Sequence, residues 1–406
     1  FVDMEDMHSD NYFVDLAEKN GWLLLMPYAN KDCMWWDDAG FSNILQQLII
    51  LKSEFNIDDN RVFLTGISDG GSGSFHIGMT HPDMFASFYP LIGMVSVGNL
   101  VNGHHTYIAN LTNRFTAAVN CDEDGLYPAA KMRELMNLGQ QAGADLFYKE
   151  FWGFGHDTEW FDLYKTEMTN KISTHPRDPF HSSLYWEISE PQYNKCDWLE
   201  ITEIDTLKEA SDWYKQYNIK LSDERMMFGF NHDQKYEGSG TLITNVVEGS
   251  AAEGAGLQKG DIIVTMDGKQ AANIDTLITW RDAKKRGDFF ILTVLRNGSE
   301  EFLEGQFPDV TYYDAFNLTK KSAAVKARYY GNHFEIETSR IQEITIYFHP
   351  EMINLSNPVT ININGISVYN DKIDYDRTFM LQNWYDNFDR KALWINKILL
   401  KVPEER

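Results

Sequence analysis

Apolar and polar positions run along the first 175 residues in blocks whose period switches between that of a helix and that of a strand. Residues 9–20 (SDNYFVDLAEKN) carry a helical period, with Ser9 as a cap and Gly21 as a stop. GWLLLMPYA follows as an apolar run that predicts a strand ending near Pro27. Residues 42–55 (SNILQQLIILKSEF) predict an amphipathic helix. Val62-Phe63-Leu64 then predicts a short buried strand. A small-residue stretch with Phe75, Ile77 and Met79 predicts a helix that Pro82 closes. Residues 86–94, 114–121 and 145–151 predict further strands, with a helix over 128–142. Strands alternating with helices imply a mostly parallel sheet covered on both faces by helices.

The pattern changes beyond residue 180. Residues 181–205 and 324–402 alternate with a period of two, most clearly over 333–337, 344–348 and 359–363, and Asn364-Gly365 marks a turn. These flanks predict one β-sandwich-like domain assembled from 181–205 and 311–406. Residues 206–224 predict a helical connector, and 225–308 a separate domain inserted between the flanks.

Candidate chemistry lies in three loops at the carboxyl ends of the predicted parallel strands, where ligands of such sheets bind. The first is Gly66-Ile67-Ser68-Asp69-Gly70, a Gly-x-Ser-x-Gly turn between strand and helix. Its glycines make room for a tight bend that lifts the Ser68 hydroxyl, and the Asp69 N–H faces any oxyanion formed there. The second is the acidic cluster Asp122-Glu123-Asp124, and the third is Gly153-Phe154-Gly155-His156. A serine hydroxyl needs an imidazole to take its proton, and the imidazole needs a carboxylate to fix its tautomer. Trp35, Trp36, Trp152, Phe154 and Trp160 crowd these loops, where they read either as an apolar pocket or as core and rim packing. His76 reads as a packed helix residue, and His81 and His104-His105 lack metal-ligand spacing, so neither a metal site nor a cofactor is expected.

Composition narrows the partners. The 406 residues suffice for two or three domains, and 43% hydrophobic with 14% aromatic residues supplies several cores. A net charge of −24, spread along the chain, argues against nucleic acid or an anionic membrane surface. Three widely spaced cysteines (Cys33, Cys121, Cys196) indicate neither a disulfide framework nor zinc. No apolar run is long enough to insert in a membrane. The sequence opens with Phe in mid-pattern, which raises the expectation of an upstream segment and leaves targeting unread.

Residues 1–175 resemble the esterase and depolymerase branch of the α/β-hydrolases, such as the feruloyl esterase-like and polyhydroxyalkanoate depolymerase-like enzymes, with prolyl-oligopeptidase-type peptidases as cousins. The resemblance rests on the Ser68 turn and on the order Ser, Asp, His. Asp124-Gly-Leu-Tyr-Pro128 resembles the family's Asp-x-x-x-Pro, which favours Asp124 as the acid, with Asp122 as the alternative. Family members carry a His-Gly loop before the segment matching GWLLLMPYA that supplies a second oxyanion N–H; this sequence starts after it, so first strands of the sheet are expected to be missing.

Residues 225–305 resemble a PDZ domain of the kind attached to bacterial envelope proteases. The match runs through Gly249-Ser250-Ala251-Ala252, Ala255-Gly256-Leu257, Gly260-Asp261-Ile262-Ile263, Asp267-Gly268 and Arg296-Asn297-Gly298. The resemblance implies a peptide added as a strand at a sheet edge, its carboxylate held by Met227-Phe228-Gly229-Phe230. Phe228 and Phe230 would line the side-chain pocket, and Leu277 and Trp280 its opposite wall. A groove filled by the chain itself is the competing expectation. Together these readings imply a periplasmic or secreted serine hydrolase of ester bonds. A peptidase with the same residues and a non-catalytic peptide-binding scaffold are the alternatives.

Overall fold

Four parallel strands in sequence order form the first sheet of the computed structural model, which describes residues 12–28, 34–223 and 226–404. They are β1 (Phe63–Ile67), β2 (Ser87–Leu91), β3 (Phe115–Cys121) and β4 (Leu146–Phe151). Neighbouring residues of β2 show why helices cover both faces. Phe88 is buried in one cluster with Ile44, Leu48 and Ile77, whereas Tyr89 and Leu91 are buried in another with Trp160, Phe161 and Tyr164. Side chains alternate across a strand, so a strand apolar at every position needs a cover on each side. The first cover is α2 (Asp38–Glu54) and α3 (Asp69–Thr80); the second is α1 (Tyr12–Asn20) with α6 (Phe161–Thr174). Between these in sequence lie the short α4 (Val97–Asn102) and α5 (Ala129–Gln141).

Two helix ends follow from local chemistry. Gly21 at φ +65 closes α1, and the Trp22 N–H returns to the Ala17 carbonyl at 2.9 Å, a left-handed C-terminal cap. Ser9, the expected N-cap, lies outside the described residues. Helix α2 starts four residues earlier than its apolar period, because the Asp37 carboxylate accepts the Gly40 N–H at 2.7 Å.

The apolar run at 22–28 is not a strand. Leu23 and Leu24 are exposed, and among the described residues this segment has no ladder partner. Apolarity alone makes no strand; it takes a neighbouring edge to hydrogen-bond with.

The chain divides into two compact units, Phe1–Ile219 with Ala315–Arg406, and Lys220–Asp314. The first holds the parallel sheet and a β-sandwich. Strands β5 (Ser183–Ile188), β6 (Lys195–Cys196) and β7 (Leu199–Ile204) come before the second unit. That unit contains β8 (Lys220–Asp223), β9 (Phe230–His232), β10 (Thr241–Val246), β11 (Ile262–Met266), β12 (Lys269–Gln270), β13 (Phe289–Arg296), β14 (Ser299–Gln306) and β15 (Thr311–Asp314). Its helices are α7 (Ala251–Gly254) and α8 (Ile274–Asp282). The sandwich resumes with β16 (Ala323–Tyr330), β17 (His333–Ser339), β18 (Ile341–Phe348), β19 (Val359–Ile363), β20 (Ile366–Asp371) and β21 (Asn396–Lys401), with α9 (Arg377–Asn387) before the last strand.

Its two sheets, β20-β19-β17-β16-β5 and β21-β18-β7-β6, enclose one core with Trp186, Trp198, Phe334, Ile346 and Ile361. Strands from both sides of the inserted unit pair within each sheet, so this layer is assembled from two stretches of chain. Residues 206–219 contain no helix. Turns and irregular chain run here instead, tied down by side chains: Ser211 Oγ donates to the Thr338 carbonyl at 2.8 Å, Tyr214 to Glu187 at 2.7 Å, and Asn218 Nδ2 to the Phe316 carbonyl at 2.6 Å. These tertiary bonds outweigh a weak helical preference. The boundary of the inserted unit also moves outward, because β8 pairs antiparallel with β15, placing 311–314 with that unit and not with the sandwich.

Candidate active site

Strand β1 delivers Ser68 to the carboxyl edge of the parallel sheet with φ +56 and ψ −111, in a region a side chain seldom occupies. Such a backbone costs about 1–3 kcal/mol and persists only where its surroundings hold it. Here the Ser68 N–H donates to the Leu91 carbonyl at 2.9 Å, and its own carbonyl accepts the Ser72 N–H at 2.9 Å. The turn needs glycine at Gly66, where a Cβ would strike the Gly70 backbone, and at Gly71, where it would lie 2.5 Å from the Leu91 oxygen. At Gly70 a Cβ would meet nothing, so the steric demand falls one residue later than the Gly-x-Ser-x-Gly pattern places it. Asp69 opens α3, and the first N–H groups of a helix have no intrahelical acceptor.

The other two loops meet Ser68 from β3 and β4. Ser68 Oγ lies 2.7 Å from His156 Nε2, and His156 Nδ1 lies 2.7 Å from Asp124 Oδ2. Asp124 is buried, and its Oδ1 accepts the N–H groups of Leu126 and Tyr127, both at 2.8 Å. Asp122 does something else: it accepts the Gly153 N–H at 2.7 Å. With the Glu123 N–H donating to the Phe154 carbonyl at 3.1 Å, it staples the acid loop to the histidine loop. Asp157 fixes the far side, accepting the Gly155 N–H at 3.0 Å. The local field is negative. Burial first, then Asp124, Asp157 and Asp122, push the neighbouring Cys121 thiol up to about 12.

These aromatics do not form one pocket wall. Trp36 and Trp160 are buried, Trp35 packs where a Cβ on Gly73 would lie 2.6 Å from its own Cβ, Phe154 sits edge-on to Phe151, and Trp152 is exposed. Trp35 thus packs on α3 and Phe154 on β4, the nearest apolar surface for each. Two residues that touch the site carried no weight in the sequence reading, Tyr127 and Ser72. The signal for Tyr127 was its place inside the Asp124–Pro128 run.

In the second unit the sheet order is β14-β13-β11-β10-β9, and among the described residues β9 pairs with β10 alone. The preceding loop turns its carbonyls inward. Phe228 C=O accepts the Ala252 N–H at 2.8 Å, and Gly229 C=O accepts the Val247 N–H at 2.9 Å and the Ser250 hydroxyl at 3.2 Å. In a trans peptide N–H and C=O point opposite ways, so the N–H groups of Gly229 and Phe230 face away from these partners. Met227 is exposed, whereas Phe228 and Leu277 are core residues, too buried to line a groove. The Trp280 ring N–H donates to the Gln270 carbonyl at 3.2 Å and Lys269 covers its ring, so this side chain packs on the β11–β12 hairpin.

Residues 218–304 match the family model described as a PDZ domain. This stretch is a PDZ domain. The PDZ domain occupies the inserted unit, and Ser68, Asp124 and His156 follow β1, β3 and β4 of the parallel sheet. Over 88 residues the chain is 30% identical to the bifunctional acetylxylan esterase/xylanase XynS20E of Neocallimastix patriciarum. That match spans 21% of this chain and 13% of the relative's length. Among solved structures, a thermostable esterase is 21% identical with a TM-score of 0.31, over 36% of this chain and 42% of its own. The HtrA3 PDZ domain bound to a phage-derived ligand is 19% identical with a TM-score of 0.19, over 23% of this chain and 91% of its own.

Proposed function

We propose that this protein hydrolyses ester bonds through an acyl-enzyme formed on Ser68, and that its PDZ domain captures peptide C-termini. The chain of 2.7 Å contacts from Ser68 through His156 to buried Asp124 carries the reading. His156 takes the hydroxyl proton as Ser68 attacks the acyl carbon, then returns it to the departing alcohol; Asp124 holds the Nδ1–H tautomer and balances the imidazolium. The Asp69 N–H donates to the oxyanion. Water, deprotonated by His156, then releases the acid and restores the hydroxyl.

The acetylxylan esterase likeness favours a short acyl group on an alcohol. A PDZ domain in the same chain keeps a peptidase in view, since the same residues serve an amide. A fluorophosphonate probe should label wild type and not Ser68→Ala, and p-nitrophenyl acetate should be turned over while peptide anilides are not. No labelling of the intact protein overturns the hydrolase; turnover of peptides alone overturns the esterase. For the PDZ domain, peptides with a free hydrophobic C-terminus should bind and their amidated forms should not.

A further inference from the structure

Tyr127 touches both the acid and the imidazole of the site. Its N–H donates to Oδ1 of Asp124 at 2.8 Å, the carboxylate whose Oδ2 faces His156. Its ring meets the imidazole edge-on, with centroids 5.6 Å apart and planes at 72°. Its carbonyl accepts from Asn120 Nδ2 at 3.1 Å, and the same amide reaches the Gly93 carbonyl at 3.1 Å, tying the acid loop to the segment after β2. Its phenol is raised by burial and by Asp69, while a hydrogen bond from Ser72, one turn into α3 beyond Ser68, pulls it down. Ser72 Oγ in turn accepts the Met94 N–H at 3.0 Å.

The imidazole needs such a wall. Its two hydrogen bonds, to Ser68 and Asp124, lie at opposite ends of the ring and leave it free to roll about the line joining them. Its loop contains Gly153 at φ +79 and Gly155, neither of which restrains it by bulk. A contact from outside that line is what stops the roll, and the Tyr127 ring supplies one from a side chain anchored at backbone and phenol.

We infer that Tyr127 is a positioning residue, acting through His156 by keeping Nε2 on the Ser68 hydroxyl while Nδ1 stays on Asp124. This rests on Ser68 being the nucleophile. Tyr127→Phe keeps the ring, Tyr127→Ala removes it, and Tyr127→Leu fills the space without an aromatic edge. Misplacing a reacting group by about 1 Å costs up to about 10²-fold. With p-nitrophenyl acetate, Tyr127→Phe should therefore keep kcat within about threefold. Tyr127→Ala should lose about 10- to 100-fold in kcat with KM within about twofold, and the fluorophosphonate labelling rate should fall in parallel. Tyr127→Leu should fall between them and serves if the alanine variant unfolds. Equal kcat in Phe, Leu and wild type overturns the inference, as does a loss carried by KM alone. Failure of wild type to label at Ser68 overturns the nucleophile instead.

Discussion

The guanidinium of Arg114 meets both carboxylate oxygens of Asp197 across the junction between the parallel sheet and the sandwich. Both side chains are buried, and His181 Nε2 adds a third contact to Asp197 at 2.7 Å. Burial raises the Asp197 carboxyl, but Arg114 and His181 more than reverse it and hold it below the usual carboxylate range. Removing one partner of such a pair strands the other charge in an apolar setting, at about 3–5 kcal/mol. Arg114→Met should lose that much in urea unfolding at pH 7, and adding Asp197→Asn, which removes the charge and tolerates the φ of +48 there, should recover part of it. A depressed carboxyl pKa stabilises above its ordinary value and ceases to as pH falls through the folded one. The single variant's deficit should therefore shrink only in strong acid. A loss below about 1 kcal/mol would mean that the junction rests on apolar packing alone.

Two carboxylates in one loop have been given different work, and kinetics separates them. Asp124→Asn should lower kcat about 10⁴-fold, because the amide no longer fixes the imidazole tautomer. Asp122→Ala loses one hydrogen bond, from the Gly153 N–H, worth about 1 kcal/mol, so its activity should fall by about tenfold at most. The reverse ranking would move the acid to Asp122.

How much of this was written in the sequence depends on whether the deciding contact is local. Period-two and period-3.6 patterns place the elements that bury a face, and the chemistry of the Ser, Asp and His loops singles out three turns that do meet. The distinction between Asp122 and Asp124 is not local, since it turns on which side chain faces His156 and which faces Gly153. The same holds for 22–28, whose apolar run finds no strand beside it among the described residues, and for 206–219, tied down by Ser211, Tyr214 and Asn218. At Phe228 and Leu277 an apolar residue near a groove reads alike whether it lines the groove or supports it from beneath; burial decides for support.

Histidines on α3 and beyond it tie stability to pH. His76 is buried with neither ring nitrogen hydrogen-bonded among the described residues, beside His104, and His81 stacks on Phe41. Burial lowers His76 to about 3, helped by His104 and His81, and lowers His81 to about 4. Both stay neutral in the folded chain while the unfolded chain takes up protons below about 6.5. Stability contributed this way is fully present above that pH and is lost as pH falls toward 4. The urea midpoint should accordingly drop between pH 7 and pH 5, by more in wild type than in His81→Gln. Equal pH slopes for the two would remove His81 from the account.

Gly229 shows that the peptide edge of the PDZ domain depends on backbone approach. Its φ is +85, and a Cβ there would strike the Ser250 Cβ and lie 2.8 Å from Ser250 Oγ. Ser250 cannot give way freely, because its hydroxyl donates to the Gly229 carbonyl and accepts the Glu253 N–H, capping α7. Gly229→Ala must therefore either strain the loop, at about 1–3 kcal/mol, or turn it. Turning it swings away the N–H groups of Gly229 and Phe230, the donors proposed to hold a peptide carboxylate. Calorimetric titration with a free-carboxylate peptide should show at least a tenfold loss of affinity for Gly229→Ala. Ser250→Ala relieves part of the clash and removes the cap, so the double variant should bind better than Gly229→Ala but below wild type. Unchanged affinity in Gly229→Ala would place peptide capture elsewhere on the domain.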